Sequence, residues 1–339
     1  MQRRQFLRLG ATVAAGVPLL AAGSPARRAR PPGPGSRIGL VAPASSPTPA
    51  QVATAEANVR ALGWVPVRTG APLLRSGEFA GTDAQRAADL LTMYARADVD
   101  AIWAIRGGYG TNRLLDRLDF RLVRRHPKPL IGYSDLTTLL NVIHARTGSP
   151  CFHGPVAAAP LGDYARSQLA PLYGTAPHTI PLAAFPEVDA DLKHLYTYQT
   201  LRAGSATGKL VGGNLTLLSS LCGTPHLPRA KGAIIFLEDV GEAPYRIDRM
   251  LTQLRDAGFF RGARGIALGI FKGCQQRNPT YAEDYSLHAV LRERLAFFDG
   301  PIGYGFPVGH VDRQCTLPIG ATARMDADTG ELVLLENGY

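Results

Sequence analysis

Apolar positions along the chain alternate between short continuous runs and stretches at helical spacing. Ser36–Pro43 is an apolar run that stops in the turn Ala44-Ser-Ser-Pro47, and Pro49–Leu62 follows with Ala, Val and Leu on one face before Gly63. Trp64–Val67 reads as a second strand, Ala80–Arg96 as a second helix, and Val99–Ile105 as a third strand. The loop Arg106–Gly110, a helical Thr111–Leu118 and a fourth strand at Pro129–Tyr133 complete the series. Strands alternating with helices at this spacing predict a parallel sheet with helices on both faces. Ligands in such sheets collect at the carboxyl ends of the strands. Two of those ends carry Gly107, Gly108 and Gly110 on one side and Ser134 on the next.

Ser134 sits at a corner. The run Lys128-Pro-Leu-Ile-Gly-Tyr133 leads into it, and Leu136, Leu139, Leu140 and Ile143 then recur on one helical face. A serine between strand and helix has its hydroxyl clear of the backbone, with the first helical N–H groups facing any oxyanion beside it. The Gly-x-Ser-x-Gly elbow is only half met, because Leu136 fills its last place. A helix cap by Ser134 or Asp135 is the plainer use of the same residues. The glycines of 106–110 lack dinucleotide spacing and a Walker lysine; a plain tight turn is one use of them, and bringing backbone N–H groups close to the Ser134 corner is the better one.

After Ile143 the pattern loosens. Cys151–Pro155 reads as a loop, and Ala157–Pro186 is rich in Ala, Pro and Leu. His153, His178 and His194 have no sequence partner of obvious role and read as structural or exposed. From Gly208 a strand or turn reaches the Gly212-Gly-Asn214 corner and an apolar helix to Leu221. Lys231–Asp239 is a strand, apolar from Ala233 until Glu238. Ile247, Met250, Leu251 and Leu254 mark a helical face, Gly265–Phe271 another strand, and Leu287–Phe297 another helix. Ile302–His310 is a strand entering a Gly-rich turn, and Cys315–Leu335 reads as short strands. The chain divides into 1–30 as leader and start of a linker, 36–165 as the first domain, 166–199 as a connection, and 200–339 as the second domain.

Charge changes the picture at the front end only. Six arginines (Arg3, Arg4, Arg8, Arg27, Arg28, Arg30) fall in an acid-free start, and without them the formal charge drops from +10 to +4. A nucleic-acid surface is not indicated. Arg3-Arg4-Gln-Phe-Leu7 and the apolar stretch Ala11–Gly23 read as a twin-arginine export signal. That stretch is too short to span a bilayer comfortably and carries no cysteine for a lipid, so no stable membrane anchor is expected and the mature protein is expected in the periplasm. Cys151, Cys222, Cys274 and Cys315 form no Cys-x-x-Cys pair, which argues against zinc. In an exported chain they leave one or two disulfides open.

An unaided serine needs a base, and the base a third group to hold its tautomer. Glu238 ends an apolar strand, where a carboxylate is costly unless partnered. His310 follows Gly309 in a tight turn and is free to face a cleft. Ser134, Glu238 and His310 fit nucleophile, orienter and base, but eight histidines and twenty-seven acids offer other choices.

In this order the chain carries Arg106-Gly-Gly-Tyr-Gly110, Gly132-Tyr-Ser-Asp135, Gly212-Gly-Asn-Leu215, Leu237-Glu-Asp-Val-Gly-Glu-Ala-Pro-Tyr-Arg-Ile-Asp-Arg-Met-Leu251 and Gly305-Phe-Pro-Val-Gly-His310. With these it resembles the LD-carboxypeptidases, the murein tetrapeptide carboxypeptidase family of serine peptidases, from about Arg37 to Glu336. The resemblance implies an α/β protein: a Rossmann-like or flavodoxin-like parallel sheet domain bearing the nucleophile, then a smaller, barrel-like α+β domain bearing Glu and His. It implies Ser134 as nucleophile, His310 as general base and Glu238 as orienter, with Glu242 the nearby competitor. It also implies an oxyanion hole from the N–H groups of Gly108 and Asp135, no metal or organic cofactor, and a homodimer. The implied substrate is a peptidoglycan tetrapeptide or muropeptide, cut before its terminal D-alanine. Its carboxylate calls for a cation, and Arg106, Arg202 and Arg246 are the candidates. Two other roles fit the scaffold. One is a microcin-immunity enzyme acting on a peptide-nucleotide antibiotic, normally a cytoplasmic task. The other is a non-catalytic periplasmic binding protein, which would tolerate loss of all three side chains.

Overall fold

A computed structural model describes residues 29–276, 278, 280, 282 and 285–339; the twin-arginine segment lies outside the described residues. The first sheet uses β1 (Arg37–Val41), β2 (Val65–Val67), β3 (Ala101–Ala104), β4 (Leu130–Gly132) and β5 (Cys151–His153), all parallel. Around it run α1 (Pro49–Ala61), α2 (Asp83–Ala95), α3 (Phe120–Arg125) and α4 (Thr137–Thr147). Helices cover both faces, so β3, β4 and β5 are buried at every residue. Both α1 and α2 open on capping boxes, Thr48 with Gln51 and Thr82 with Gln85, which satisfy N–H groups the helix cannot. In α2, Ala87, Leu90, Met93 and Tyr94 turn inward at three- and four-residue spacing. The stretch after Gly110 is a tight 3₁₀ segment, Thr111–Arg117, where the pattern predicted an α-helix. Cys151–His153, expected as a loop, is a strand: three residues are too few to show an alternation, and its signal is burial against β4.

The connection carries a short α5 (Asp163–Ser167) and β6 (His178–Ile180). The second half adds β7 (Gln199–Arg202), β8 (Ser205–Asn214), α6 (Leu215–Ser220), β9 (Ala233–Val240), α7 (Pro244–Asp256), β10 (Gly265–Lys272), α8 (Leu287–Arg294) and β11 (Ile302–Tyr304). It closes with β12 (Leu317–Pro318), β13 (Thr322–Asp326) and β14 (Glu331–Leu334). The second sheet has eight strands in the order β6-β14-β13-β8-β9-β10-β11-β7. Its four central strands are parallel, and the flanking ones antiparallel. The barrel-like second domain thus takes the form of one mixed sheet with β6 and β7 at its ends. Strand β12 leaves that sheet and pairs antiparallel with β5, becoming the sixth strand of the first.

Two features lock the halves together. One apolar cluster runs from Leu90, Ile102 and Leu139 in the first half to Leu210, Phe236 and Val308 in the second. The Gly-Gly-Asn corner forms the joint: a Cβ on Gly213 would lie 2.6 Å from Thr137 Oγ1, and one on Gly212 would lie 1.9 Å from the Phe236 carbonyl oxygen. Without those methyls, β8 lies close on α4 at Gly213 and on β9 at Gly212. Asn141 Nδ2 donates to the Gly212 carbonyl at 2.8 Å, and the Asn214 N–H donates to Thr137 Oγ1 at 3.0 Å. All four cysteines are free thiols, so neither of the disulfides left open by the sequence forms.

Candidate active site

Ser134 follows β4 after one residue, and its φ of 62° is the sole positive value among described non-glycine residues. A side chain in the left-handed region costs about 1–2 kcal/mol and persists only where the surroundings hold it. Those surroundings are the loop Arg106–Gly110 and α4. A Cβ on Gly107 would sit 3.1 Å from Ser134 Cβ, tighter than an ordinary contact, so glycine lets the loop lie this close. The loop is pinned from below: Asp135 Oδ2 accepts from the Thr111 N–H at 2.9 Å. Arg86, buried, donates to the Gly110 carbonyl at 3.1 Å. From the other side Ser45 Oγ accepts the Tyr109 N–H at 3.1 Å. The Gly108 N–H is left without a protein acceptor among the described residues.

Glu238 lies near the end of β9 and is fully buried. His310 hangs from the turn after β11, and the geometry joins them: His310 Nδ1 is 2.8 Å from Glu238 Oε2, and His310 Nε2 is 3.0 Å from Ser134 Oγ. Gly309, at φ 123°, permits this, since a Cβ there would stand 3.0 Å from Glu238 Oε2. The chain on either side of His310 is held by different sheets, β11 in the second and β12 in the first. The imidazole therefore hangs on a span tied at both ends.

The neighbours are tuned by burial. The Tyr133 ring packs 4.8 Å from the His310 ring, and burial, then the charges of Glu238 and Asp312, push its phenol up to about 12. Asp239, next to Glu238, is pushed up to about 6, first by burial and then by Glu238. It accepts from Asn214 Nδ2 at 3.0 Å and from Thr216 N–H at 2.9 Å, which anchors the start of α6. His153 lies fully buried between Tyr133 and Phe236, and burial lowers its imidazole to about 4.

The sequence candidates separate cleanly. Ser134, Glu238 and His310 converge, with Gly108 and Asp135 beside the serine in the chain and the loop next to it. Glu242 instead accepts from Arg246 at 3.3 Å. Arg202 donates to the Ala296 carbonyl at 3.1 Å, and Arg106 to the Ser46 and Gly107 carbonyls at 3.3 and 3.2 Å. Sequence reasoning missed Tyr133, Asp312 and Lys272 near the imidazole, while His153, expected as structural or exposed, is buried. Tyr133 stood in the quoted Gly-Tyr-Ser-Asp motif; the others come from segments that give no local signal.

A hydroxyl, an imidazole and a buried carboxylate in series, at the carboxyl ends of strands from two sheets, is the arrangement of a serine hydrolase. The chain belongs to the LD-carboxypeptidase family: the model of its N-terminal domain matches residues 38–154 and that of its C-terminal domain residues 207–325. It is 37% identical over 301 residues to a probable murein peptide carboxypeptidase of Bacillus subtilis, covering 86% of this chain and 89% of that one. It is 36% identical over 306 residues to the murein tetrapeptide carboxypeptidase of Pseudomonas aeruginosa, covering 86% and 94%. Among solved structures, MccF in complex with glutamyl sulfamoyl guanosine shares the fold, with a TM-score of 0.80 at 24% identity over 91% of this chain and 98% of that one. The chain is accordingly a serine-type LD-carboxypeptidase.

Proposed function

We propose that this enzyme removes the terminal D-alanine from peptidoglycan stem tetrapeptides, cutting the bond after the L-centre of the third residue. The observation that carries the reading is the continuous series from Ser134 Oγ through His310 to Glu238, at 3.0 and 2.8 Å. His310 takes the Ser134 proton as the oxygen attacks the scissile carbonyl, and Glu238 holds the imidazole in its tautomer and balances its charge. The N–H groups of Gly108 and Asp135 receive the oxyanion. The carbon–nitrogen bond breaks, His310 passes its proton to the leaving nitrogen, and D-alanine departs from an acyl-enzyme. Water, deprotonated by the same imidazole, then frees the shortened peptide and restores Ser134. The murein substrates in the names of the two curated relatives support this choice.

The test is incubation with L-Ala-D-Glu-meso-diaminopimelate-D-Ala and mass analysis. Loss of one D-alanine is expected, and its absence with active, folded protein sinks the substrate assignment. The Arg3-Arg4 leader motivates a second reading, export by the twin-arginine route, so that the target is wall or released muropeptide. Replacing both arginines by lysine should then retain the protein in the cytoplasm; unchanged export would remove the argument.

A further inference from the structure

A carboxypeptidase differs from an endopeptidase in requiring a free carboxylate one residue past the cut, and something must read it. Which side of Ser134 that reader occupies follows from proton transfer. His310 must hand its proton to the leaving nitrogen, so the leaving residue lies on the imidazole's side. Its carboxylate is only two bonds beyond that nitrogen. On that side the structure has a cavity of about 320 Å³, walled by Tyr133, Pro155, Val240, Lys272, His310 and Asp312 among others. Among the described residues, Lys272 is the sole lysine or arginine in its wall.

Lys272 ends β10, paired in register with Val240, two residues past Glu238 on β9. It is exposed, and its ammonium makes no ion pair among the described residues. Glu187, whose carboxyl is held below its usual range first by its own backbone N–H and then by Arg313, with Lys272 the smallest contributor, is already paired with Arg313 at 2.9 Å. The three arginines suggested by the sequence are placed differently. Arg106 lies on the Gly107 side of the serine, Arg246 is engaged with Glu242, and Arg202 is spent on the edge strand β7. The apolar wall at Pro155 and Val240 suits a methyl group.

We propose that Lys272 is the specificity-determining anchor for the terminal carboxylate of the substrate. The assignment rests on the carboxypeptidase reading above. Asp312 is the one acid in the wall of this cavity among the described residues, and so competes for the ammonium. A peptide continuing past the fourth residue would bring an uncharged amide to Lys272 and forfeit the contact, which makes the enzyme an exopeptidase.

The test compares the tetrapeptide with its C-terminal amide, on wild type, K272M, K272R and R106Q. A charged hydrogen bond of this kind should give wild type a preference for the free acid of about ten- to a hundredfold in kcat/KM. In K272M that preference should fall to within about twofold, mainly through KM, because the carboxylate contact is present in ground state and transition state alike. K272R should restore part of it, and R106Q should keep it. A folded K272M with the wild-type acid-to-amide ratio overturns the anchor, as does an R106Q that alone loses the ratio. Wild type that releases no D-alanine from the free acid overturns the function itself, so the two failures are distinguishable.

Discussion

The backbone at Ser134 offers a sharp test because it separates strain from chemistry. Replacing Ser134 by Ala or by Gly deletes the same Oγ and the same hydrogen bond to His310. The two variants differ in one methyl, at a φ of 62°. At an ordinary site Gly is the less stable of the two by about 0.5–1 kcal/mol, because its unfolded chain is freer. In the left-handed region Ala instead carries a steric cost of about 1–2 kcal/mol that Gly escapes. The order should therefore invert, with S134G more stable than S134A by roughly 0.5–1 kcal/mol. One apolar cluster runs through both sheets, so a single urea transition should report the difference as a shift in midpoint at constant slope. Both variants should lose about 10⁶-fold in kcat, as expected when a triad nucleophile is deleted. If S134A proves the more stable by the ordinary margin, the corner is not strained, and the account of how the hydroxyl is presented fails.

Two further substitutions probe the neighbours. Glu238→Gln should keep the imidazole in place but lose its orienting charge, lowering kcat on the order of 10⁴-fold, whereas Glu242→Gln should not; equal losses in the two would contradict the assignment of the orienter. His153 is neutral inside the fold, with its imidazole lowered to about 4 from an ordinary 6.5. Below pH 6.5 the unfolded chain gains a proton that the folded chain refuses, so this residue's share of stability is lost as pH falls from about 6.5 to 4, on the order of 3 kcal/mol. Denaturation of His153→Phe should show a correspondingly flatter acid limb. Asp239, raised to about 6 from 3.8, works in the opposite direction, losing stability as pH rises through that window, and is common to both proteins. An identical acid limb in wild type and variant would show that His153 is not buried neutral.

Much of this site could be read from residue order because its parts sit where local patterns break. The apolar run into Gly132-Tyr-Ser-Asp135, the run that ends at Glu238, and the glycines before His310 each mark the end of a strand. What local pattern could not supply is pairing between distant segments. β5 has three residues and no alternation, and β12 has two, yet each takes its place through partners in the fold: β5 beside β4, and β12 beside β5 from near the other end of the chain. Lys272 escaped notice for a similar reason. A lysine at the end of an apolar strand is unremarkable until β9, the turn after β11 and the loop after Cys151 close a cavity around it. Glu238 and Glu242 were separable by resemblance alone, whereas the fold separates them by burial and by Arg246.

The return of residues 317–318 to the first sheet has a consequence for how relatives of this enzyme can exchange parts. Cut in the connection, the N-terminal half would lose the border of its own sheet and display the naked rim of β5, an invitation to aggregation. The lobes are thus poor modules. A chimaera that grafts a new second half onto the half carrying Ser134 must bring a matching two-residue hem from the donor's tail, or it will assemble with a frayed seam just where Ser134 meets His310.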